Sequence, residues 1–297
     1  MRLKVLGLGL LLACLLCPPA SAAAAPLRVI ATISTFDSLV RAVGGDHVVV
    51  ANLVPVGASP EDYQPTPADI ERLHRADLVI ENGAGLEAWL GRTIDAAKNS
   101  HLQIVVCTRG LPIKDGNPHL WMDPVLAERY VDAIRDGLVA ADPRDRADFE
   151  RRAAAERKRL AALRTEIAAR IATIPPQSRA MIVFHNAWQY YGDRFGLRIV
   201  GAIELSPGQE PNPQQISALI VLAKRYHVRA VFGEPEYSPK LVQTLAESAG
   251  ITTIENLYDD SIGTNPLVHD YASLLRYDTE VIVKALGGRA LARAGAR

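Results

Sequence analysis

Four side chains that are able to bind a metal ion lie far apart in the sequence, each beyond a predicted strand or in a loop that joins two units. They are Glu61, His119, His185 and Asp260. Two imidazoles and two carboxylates form a donor set suited to a divalent transition metal. In open α/β sheets, ligands bind outside the carboxyl ends of the strands, and two of these residues come from each half of the chain. Their positions therefore predict a metal site in a cleft between two lobes.

Position alone leaves a structural role open for each of the four. His185 directly follows the apolar run Met181–Phe184, where a metal ligand and a hydrogen-bonded structural histidine are equally consistent with the sequence. His119 lies in a loop before a helix, and its place there favours packing. Asp260 and its neighbour Asp259 are also consistent with solvated turn residues. Glu61 is likewise consistent with a loop carboxylate that has no role in binding.

A few further residues are given supporting roles around this site. Glu204 follows a predicted strand of the second half, and we hypothesise that it orients His185 through a hydrogen bond. His269, at the start of the last predicted helix, is within sequence reach of the aspartate pair and has a secondary role open to it. Tyr63 and Trp121 are expected to pack around the site and not to bind the ion.

The elements that must position these residues alternate between short β-branched runs and helical patterns. Such alternation is typical of βα units on a parallel sheet. One segment, residues 143–174, contains no glycine and no proline after its first residue, and it predicts one long helix. Its apolar residues form a single helical stripe, namely Leu160, Leu163, Ile167, Ile171 and Ile174. A helix of about 48 Å resists bending, so metal release is expected to use small lobe shifts.

The predicted fold class is therefore α/β, with two lobes of parallel-sheet βα units joined by one long rigid α-helix. The first lobe is expected to comprise residues 23–142 and the second residues 175–297. Within the first lobe, residues 85–98 are predicted to form a helix. Asp123 and Asp142, each followed by a proline, are expected to cap the helices that they precede.

The first 22 residues are predicted to be a secretory signal peptide. Two basic residues precede the apolar run Val5–Leu16, and the small residues Ala20–Ala22 form a cleavage site. An alternative is that Leu11–Cys14 is a lipobox and that Cys14 becomes a lipidated N-terminus. The apolar run continues beyond Cys14, which favours cleavage and soluble export. No later segment is long and apolar enough to predict a transmembrane helix.

Composition excludes several classes of protein. The 297 residues carry 33 basic and 33 acidic side chains, and loss of the signal peptide with its two basic residues leaves a net charge of −2. A hydrophobic share of 48% with 22% charged residues is ordinary for a globular protein, and it argues against disorder and a polybasic nucleic-acid surface. No local catalytic signature is present. Cys107 ends an apolar run and is predicted to be a buried thiol.

Four segments resemble the metal-binding loops of the zinc/manganese substrate-binding proteins of ABC importers, in the same order and spacing. They are Gly57–Pro67, Asn117–Pro124, Phe184–Trp188 and Leu257–Gly263. The resemblance extends over nearly the whole mature chain. It implies two lobes around one interlobe metal site, with His119, His185 and Asp260 as ligands.

The chain departs from this family at Glu61, where the family usually has histidine. A glutamate still coordinates, and it shifts the preference of the site towards Mn²⁺ or Fe²⁺. Zn²⁺ also accepts carboxylates, so all three ions remain open. The long acidic, histidine-rich loop of some zinc importers is missing, because the segment Arg109–Gly116 is short.

The resemblance implies an exported, periplasmic, monomeric carrier that delivers one divalent transition metal ion to an ABC importer permease. No catalytic residue, no resident cofactor and no nucleic-acid partner are expected, and contact with the membrane is expected only through the permease or a lipid at Cys14. Two alternatives are a metal-dependent hydrolase that uses the same four residues and a surface adhesion protein with a structural metal. Metal affinity is expected to fall near pH ~6 as His119 and His185 become protonated.

Overall fold

The computed structural model of the protein describes residues 25–205, 208–263 and 265–289. It contains two four-stranded parallel sheets, one in each lobe. The strands are β1 (Leu27–Ala31), β2 (Val48–Asn52), β3 (Leu78–Glu81), β4 (Gln103–Val106), β5 (Ala180–Val183), β6 (Arg198–Ala202), β7 (Ala230–Phe232) and β8 (Thr252–Ile254). The predicted signal peptide and its alternative, lipidation at Cys14, lie outside the described residues.

The two sheets share one topology. The strand order is β2-β1-β3-β4 in the first lobe and β6-β5-β7-β8 in the second, and all neighbours pair in parallel. The inner strands β3 and β5 are apolar on both faces because helices cover both sides of each sheet. Parallel strands end at the same edge of a sheet, so each lobe presents one row of strand ends. The predicted α/β class with two parallel-sheet lobes is confirmed.

Helices connect the strands and cover the sheets. They are α1 (Ser34–Gly44), α2 (Pro67–Arg75), α3 (Leu90–Ala97), α4 (Pro124–Ala141), α5 (Arg146–Ile171), α6 (Gln189–Phe195), α7 (Pro213–Arg225), α8 (Pro239–Ala249) and α9 (Tyr271–Ala285). The predicted cap at Asp123 is present, since its side chain accepts a hydrogen bond from the backbone N–H of Val125. In α2, Thr66 and Asp69 form a capping box, which fixes the direction of the loop before it.

The long helix α5 is shorter at both ends than the predicted span of 143–174. It has 26 residues, Arg146–Ile171, and a length of about 39 Å. Pro143–Asp145 forms a 3₁₀ turn instead, capped by the side chain of Asp142. At the other end, the N–H groups of Thr173 and Ile174 bond to carbonyls three residues earlier, which tightens the chain before the double proline.

Helix α5 is fastened to both lobes. Every residue of its predicted apolar stripe, from Leu160 to Ile174, is at most 1% exposed. Arg157 reaches Asp132 on α4 at 3.3 Å, and Glu166 accepts a 2.9 Å hydrogen bond from Arg276 on α9. Since α4 belongs to the first lobe and α9 to the second, these contacts confirm that one long helix joins the two lobes.

One helix prediction in the first lobe is wrong over its first turn. Of residues 85–98, only Leu90–Ala97 are α-helical. Before them the chain turns through Gly85 at a φ of 89°, a left-handed conformation that favours glycine. The Glu87 carboxylate accepts hydrogen bonds from the backbone N–H groups of Asn82 and Gly83, which holds this turn back against the end of β3, and the helix begins only after it.

Two smaller expectations concern the free cysteine and the membrane. Cys107 directly follows β4 and is buried, as predicted, and burial raises the pKa of its thiol well above the usual value. Such a thiol is unreactive because its thiolate is disfavoured. Across the described ranges, none of the helices combines the length and the apolar character needed to cross a bilayer.

Candidate metal centre

The predicted site residues meet in the cleft between the lobes, where a cavity of about 370 Å³ opens. Donor atoms of Glu61, His119 and His185 lie within 4.8 Å of one another. Donor atoms of His119, Asp259 and Asp260 form a second group of the same size. Because the two groups share His119, the structure gathers all four predicted residues around its imidazole ring.

His119 is held with one ring nitrogen directed into the site. Its Nδ1 donates to the side-chain oxygen of Asn117 at 2.9 Å, and the same oxygen accepts the backbone N–H of His119. The amide nitrogen of Asn117 donates to the carbonyl of Asn186 in the second lobe, which fixes the orientation of the amide. This leaves Nε2 free for a cation, and the indole of Trp121 packs against the ring at 5.0 Å between centroids.

His185 emerges at the carboxyl end of β5 and is oriented by a carboxylate. Its Nδ1 lies 2.5 Å from Oε2 of Glu234, while Trp188 donates from its indole N–H to the other oxygen at 3.2 Å. Its Nε2 lies 3.2 Å from Nε2 of His119 and 3.2 Å from Oδ2 of Asp259. Both histidines therefore present Nε2 to the same point, with Nδ1 held by a neighbour, as in protein metal sites.

Glu61 approaches from the loop after β2. Its Oε1 lies 3.9 Å from Nε2 of His119, and its side chain is 12% exposed. The loop is fixed by Trp89, whose indole N–H donates to the carbonyl of Pro60 at 2.7 Å. The ring of Tyr63 packs edge-on against that indole, with its centroid 5.1 Å away. Glu61 is thus the most accessible of the four predicted residues, but its backbone is well anchored.

Asp259 and Asp260 follow β8 and are almost completely buried, at 1% and 4% exposure. Within the described part of the chain, Oδ1 of Asp259 and Oδ1 of Asp260 have no hydrogen-bond partner, and Oδ2 of Asp259 has only the ionic contact with Nε2 of His185 at 3.2 Å. Burying an unpaired carboxylate is expensive, because the charged form loses its hydration. A bound cation in the cleft would supply the missing partner.

Burial and mutual repulsion set the protonation of these groups. Burial raises the pKa of Glu61 to about 7, and burial together with the Asp259 carboxylate raises that of Asp260 well above its usual range. Burial and the neighbouring His185 lower the pKa of His119 to about 3. Burial also opposes the charged form of His185, but the carboxylates of Glu234 and Asp259 outweigh it and raise that pKa well above its usual value.

Two expectations from the sequence need correction. Glu204 lines the cavity, but it is Glu234 that accepts from Nδ1 of His185. The two histidines do not both have pKa values near 6, because their surroundings move those of His119 and His185 in opposite directions. His269, for which the sequence leaves a secondary role open, is exposed just before α9 and belongs to none of the donor groups. The packing roles predicted for Tyr63 and Trp121 are borne out by the ring contacts described above.

The support of the Glu61 loop gives a first testable prediction. Replacing Trp89 with phenylalanine keeps an aromatic ring against Tyr63 but removes the N–H that holds the carbonyl of Pro60. We expect metal affinity to fall by about tenfold, since residues that orient metal ligands typically contribute 10- to 100-fold. Isothermal titration of the metal-free protein measures this effect. Equal affinities in the variant and the wild type would show that the indole does not position Glu61.

A second prediction concerns Glu87, which supports the loop of His119 through Asn82. Glu87 accepts from the N–H of Asn82 at 2.9 Å and from the hydroxyl of Thr32 at 2.7 Å. Asn82 in turn donates to the carbonyl of Pro118 at 2.9 Å, next to His119. Burial raises the pKa of Glu87 to about 7, although these hydrogen bonds oppose the rise.

The folded protein therefore holds a proton on Glu87 between about pH 4.5 and 7 that the unfolded chain has released. Stability from this group is present below that window and is lost as the pH rises through it, by at most about 3 kcal/mol. We expect the unfolding free energy of the metal-free wild type to fall more steeply from pH 5 to 8 than that of Glu87→Gln. Urea denaturation measures both, with the exposed Glu71→Gln as the control. Parallel pH profiles for the wild type and Glu87→Gln would contradict the assignment.

Comparisons with known proteins agree with this geometry. The family model "Zinc-uptake complex component A periplasmic" matches residues 29–285. The chain is 30% identical over 270 residues to the iron-binding protein YfeA of Yersinia pestis, covering 88% of this chain and 86% of that protein. It is 28% identical over 265 residues to the manganese-binding lipoprotein MntA of Halalkalibacterium halodurans, covering 88% of each.

The fold is also that of a solved relative. The crystal structure of ZnuA superimposes with a TM-score of 0.78 at 29% identity, covering 89% of this chain and 99% of that one. The family match extends across both lobes and all four loops that carry the site. The chain therefore belongs to the zinc-uptake complex component A family, the metal-binding substrate-binding proteins of ABC importers, and is a transport binding protein and not an enzyme.

Proposed function

We propose that this protein captures one divalent transition metal ion between its lobes and passes it to the permease of an ABC importer. In this proposal His119 and His185 bind the ion through Nε2, and Glu61 and Asp260 bind it through carboxylate oxygens. Asp259 lies close enough to share in the coordination, since its Oδ2 is 3.2 Å from Nε2 of His185. The ion is cargo, so the site has to release it as well as bind it.

One observation carries the proposal. The two buried Nε2 atoms face each other at 3.2 Å, with both Nδ1 atoms held from behind and unpartnered carboxylate oxygens beside them. In the described part of the chain, the basic side chains that pair with Glu61, Glu234 and Asp259 are these two histidines alone. A divalent cation would accept electron pairs from both imidazoles and balance the charge of the carboxylates. A packing role for the histidines does not explain why their Nε2 atoms face each other beside unpartnered carboxylate oxygens.

The donor set supports a preference for Mn²⁺ or Fe²⁺ in comparison with a site richer in histidine. Harder oxygen donors suit these ions better than additional imidazoles do, while Zn²⁺ accepts both. The relatives are consistent with this range, since one is named for manganese, one for iron and the family for zinc. Glu61 is the residue that sets the preference of this site among the three ions, because it supplies a carboxylate at the most accessible edge of the site.

Competition titration of the metal-free protein with Mn²⁺, Fe²⁺ and Zn²⁺ tests the proposal, with Glu61→His as the matched variant. We expect one ion per chain. We also expect the variant to shift selectivity towards Zn²⁺ over Mn²⁺ by about tenfold or more, which corresponds to about 1.4 kcal/mol. Stoichiometric binding that persists in an Asp260→Ala, His119→Ala double variant would refute the site. An unchanged selectivity in Glu61→His would place that residue outside the coordination sphere.

Export and delivery form the cellular part of the proposal. We propose that the chain is cleaved after its signal peptide and acts in the periplasm, and the mass of the mature N-terminus separates this from lipidation at Cys14. Deletion of the gene is expected to slow growth in metal-depleted medium, with recovery when the metal is added. Normal growth of the deletion strain under depletion would favour a structural role for the metal.

A further inference from the structure

The loop that carries Asp259 and Asp260 belongs by sequence to the second lobe, but its backbone is bonded to the first. The indole N–H of Trp121 donates to the carbonyl of Asp259 at 3.0 Å. The hydroxyl of Thr35, in the first turn of α1, lies 2.9 Å from the carbonyl of Asp260 and 3.2 Å from that of Asp259. A hydroxyl has one proton, and the carbonyl of Asp259 already has Trp121 as a donor, so the hydroxyl of Thr35 donates to the carbonyl of Asp260.

Neighbouring residues extend this attachment. The N–H of Ile262 donates to the hydroxyl of Ser34 at 2.7 Å, and the N–H of Gly57 donates to the hydroxyl of Ser261 at 2.9 Å. At the start of α9, the N–H of Tyr271 donates to Ser38 at 2.9 Å. The first lobe therefore holds the aspartate pair and the chain that follows it.

The hydrogen bonds between this segment and the second lobe end just before Asp259 and Asp260. The N–H of Leu257 donates to the carbonyl of Gly233 at 3.1 Å, and the N–H of Tyr258 donates to Asp278 on α9 at 3.0 Å. From Asp259 onward the hydrogen bonds of the loop described above run to the first lobe, while the Asp259 carboxylate faces His185 of the second. The change of partner between two consecutive residues marks the point at which the two lobes can move apart.

Thr35 is unusual for a threonine in the first turn of a helix. It is fully buried, and its hydroxyl forms no cap within α1 but crosses the cleft to the aspartate loop. Threonine hydroxyls commonly bond to their own backbone, which needs no neighbouring element. A buried hydroxyl placed at the carbonyls of two acidic residues instead fixes the direction in which their carboxylates point.

We propose that Thr35 is a positioning residue that latches the aspartate loop to the first lobe, so that His185 is the one ligand that departs with the second lobe. The proposal rests on the proposed metal site. It divides the ligands mechanically into Glu61, His119 and Asp260 on one side and His185, with Glu234 behind it, on the other. Release then begins with the loss of one imidazole and not with the separation of two ligand pairs.

The test measures metal release from the full mature protein loaded with Mn²⁺ or with Zn²⁺, after mixing with excess chelator. Thr35→Val keeps the shape of the side chain and removes the donor. We expect release to be about 10- to 100-fold faster, because a buried carbonyl loses its partner and the loop loosens. Thr35→Ser restores a hydroxyl and is expected to bring the rate back to within about threefold of the wild type.

Thr93→Val is the matched control, because Thr93 is also buried in the first lobe but bonds within its own helix to the carbonyl of Trp89. Its release rate is expected to equal that of the wild type. Wild-type release from Thr35→Val, or failure of Thr35→Ser to restore the rate, would overturn the latch. A rate increase in Thr93→Val equal to that in Thr35→Val would do the same, since it would indicate a general loosening.

Hydrogen exchange supplies a readout that affinity does not. In the metal-free wild type, the amide of Ile262 is expected to be protected by Ser34, and Thr35→Val is expected to lose that protection. Free exchange of this amide in the metal-free wild type would overturn the latch. The Asp260→Ala, His119→Ala double variant separates the two proposals: metal binding that survives it refutes the assigned site, whereas lost binding in this variant with wild-type release in Thr35→Val refutes only the latch.

Discussion

Replacing His185 with alanine is expected to abolish stoichiometric metal binding, with an affinity loss of more than about 100-fold. That value exceeds the usual effect of residues that only orient a ligand, because here the donor itself is removed. The substitution also leaves the buried Glu234 without the imidazole that it holds. The second lobe then loses its metal ligand and keeps a buried carboxylate without a partner. Equilibrium dialysis of the metal-free variant against Mn²⁺ or Zn²⁺ measures the loss.

The control for this prediction is His269→Ala, which removes an exposed histidine at the start of α9 and is expected to bind like the wild type. Glu234→Gln provides an intermediate case. It keeps the size of the side chain but weakens the acceptor for Nδ1, and we expect a loss of about 10- to 100-fold. Equal losses for His185→Ala and His269→Ala, or retained stoichiometry in His185→Ala, would remove His185 from the site.

The second large effect is expected from pH. Metal must displace the proton on Nε2 of His185, whose pKa is raised, and the proton that Glu61 holds below its pKa of about 7. The raised pKa of Asp260 adds a further proton to be displaced where that carboxyl group is protonated. Each displaced proton weakens binding about tenfold for every pH unit, so the protons of His185 and Glu61 give at least about 100-fold per unit below pH ~7. His119 adds no proton in this range, because its pKa is lowered to about 3. Affinity therefore falls as the pH is lowered, and it falls most steeply below pH 7.

Glu61→Gln removes the Glu61 proton from this balance, since an amide does not titrate. The variant is expected to bind more weakly at pH 8, and below pH 7 its affinity is expected to fall about tenfold less per pH unit than that of the wild type. Titrations at half-unit intervals from pH 5.5 to 8 measure the two slopes. If the wild type and the variant show the same slope, Glu61 does not exchange a proton for the metal.

The orienting partner of His185 shows where inference from the sequence reaches its limit. The apolar run before His185 located it at a strand end, and two carboxylates, Glu204 and Glu234, lie at comparable positions after β6 and β7. Both of these strands flank β5 in the sheet, and a linear sequence does not give that order. The side-chain directions at the two strand ends decide the choice, and they select Glu234.

The prediction of helix ends and of protonation states from the sequence was limited in the same way. The pattern of glycine and proline predicted one long helix, but the local caps that shorten α5 depend on side-chain hydrogen bonds, such as that of Asp142. Ordinary pKa values predicted that both histidines change charge near pH 6. The opposite shifts of His119 and His185 arise from burial and from neighbours that are distant in the chain, so they become visible only in three dimensions.

The attachment of α5 to α4 on one side and to α9 on the other has a consequence for the encounter with the permease. A helix attached to both lobes keeps the overall shape of the carrier nearly the same with and without its ion. Recognition by overall shape would then let vacant carriers occupy the transporter as readily as filled ones. Under the proposed delivery, the membrane partner distinguishes them by the few side chains at the cleft mouth, and a partner unable to do so would be inhibited competitively by any surplus of vacant carriers.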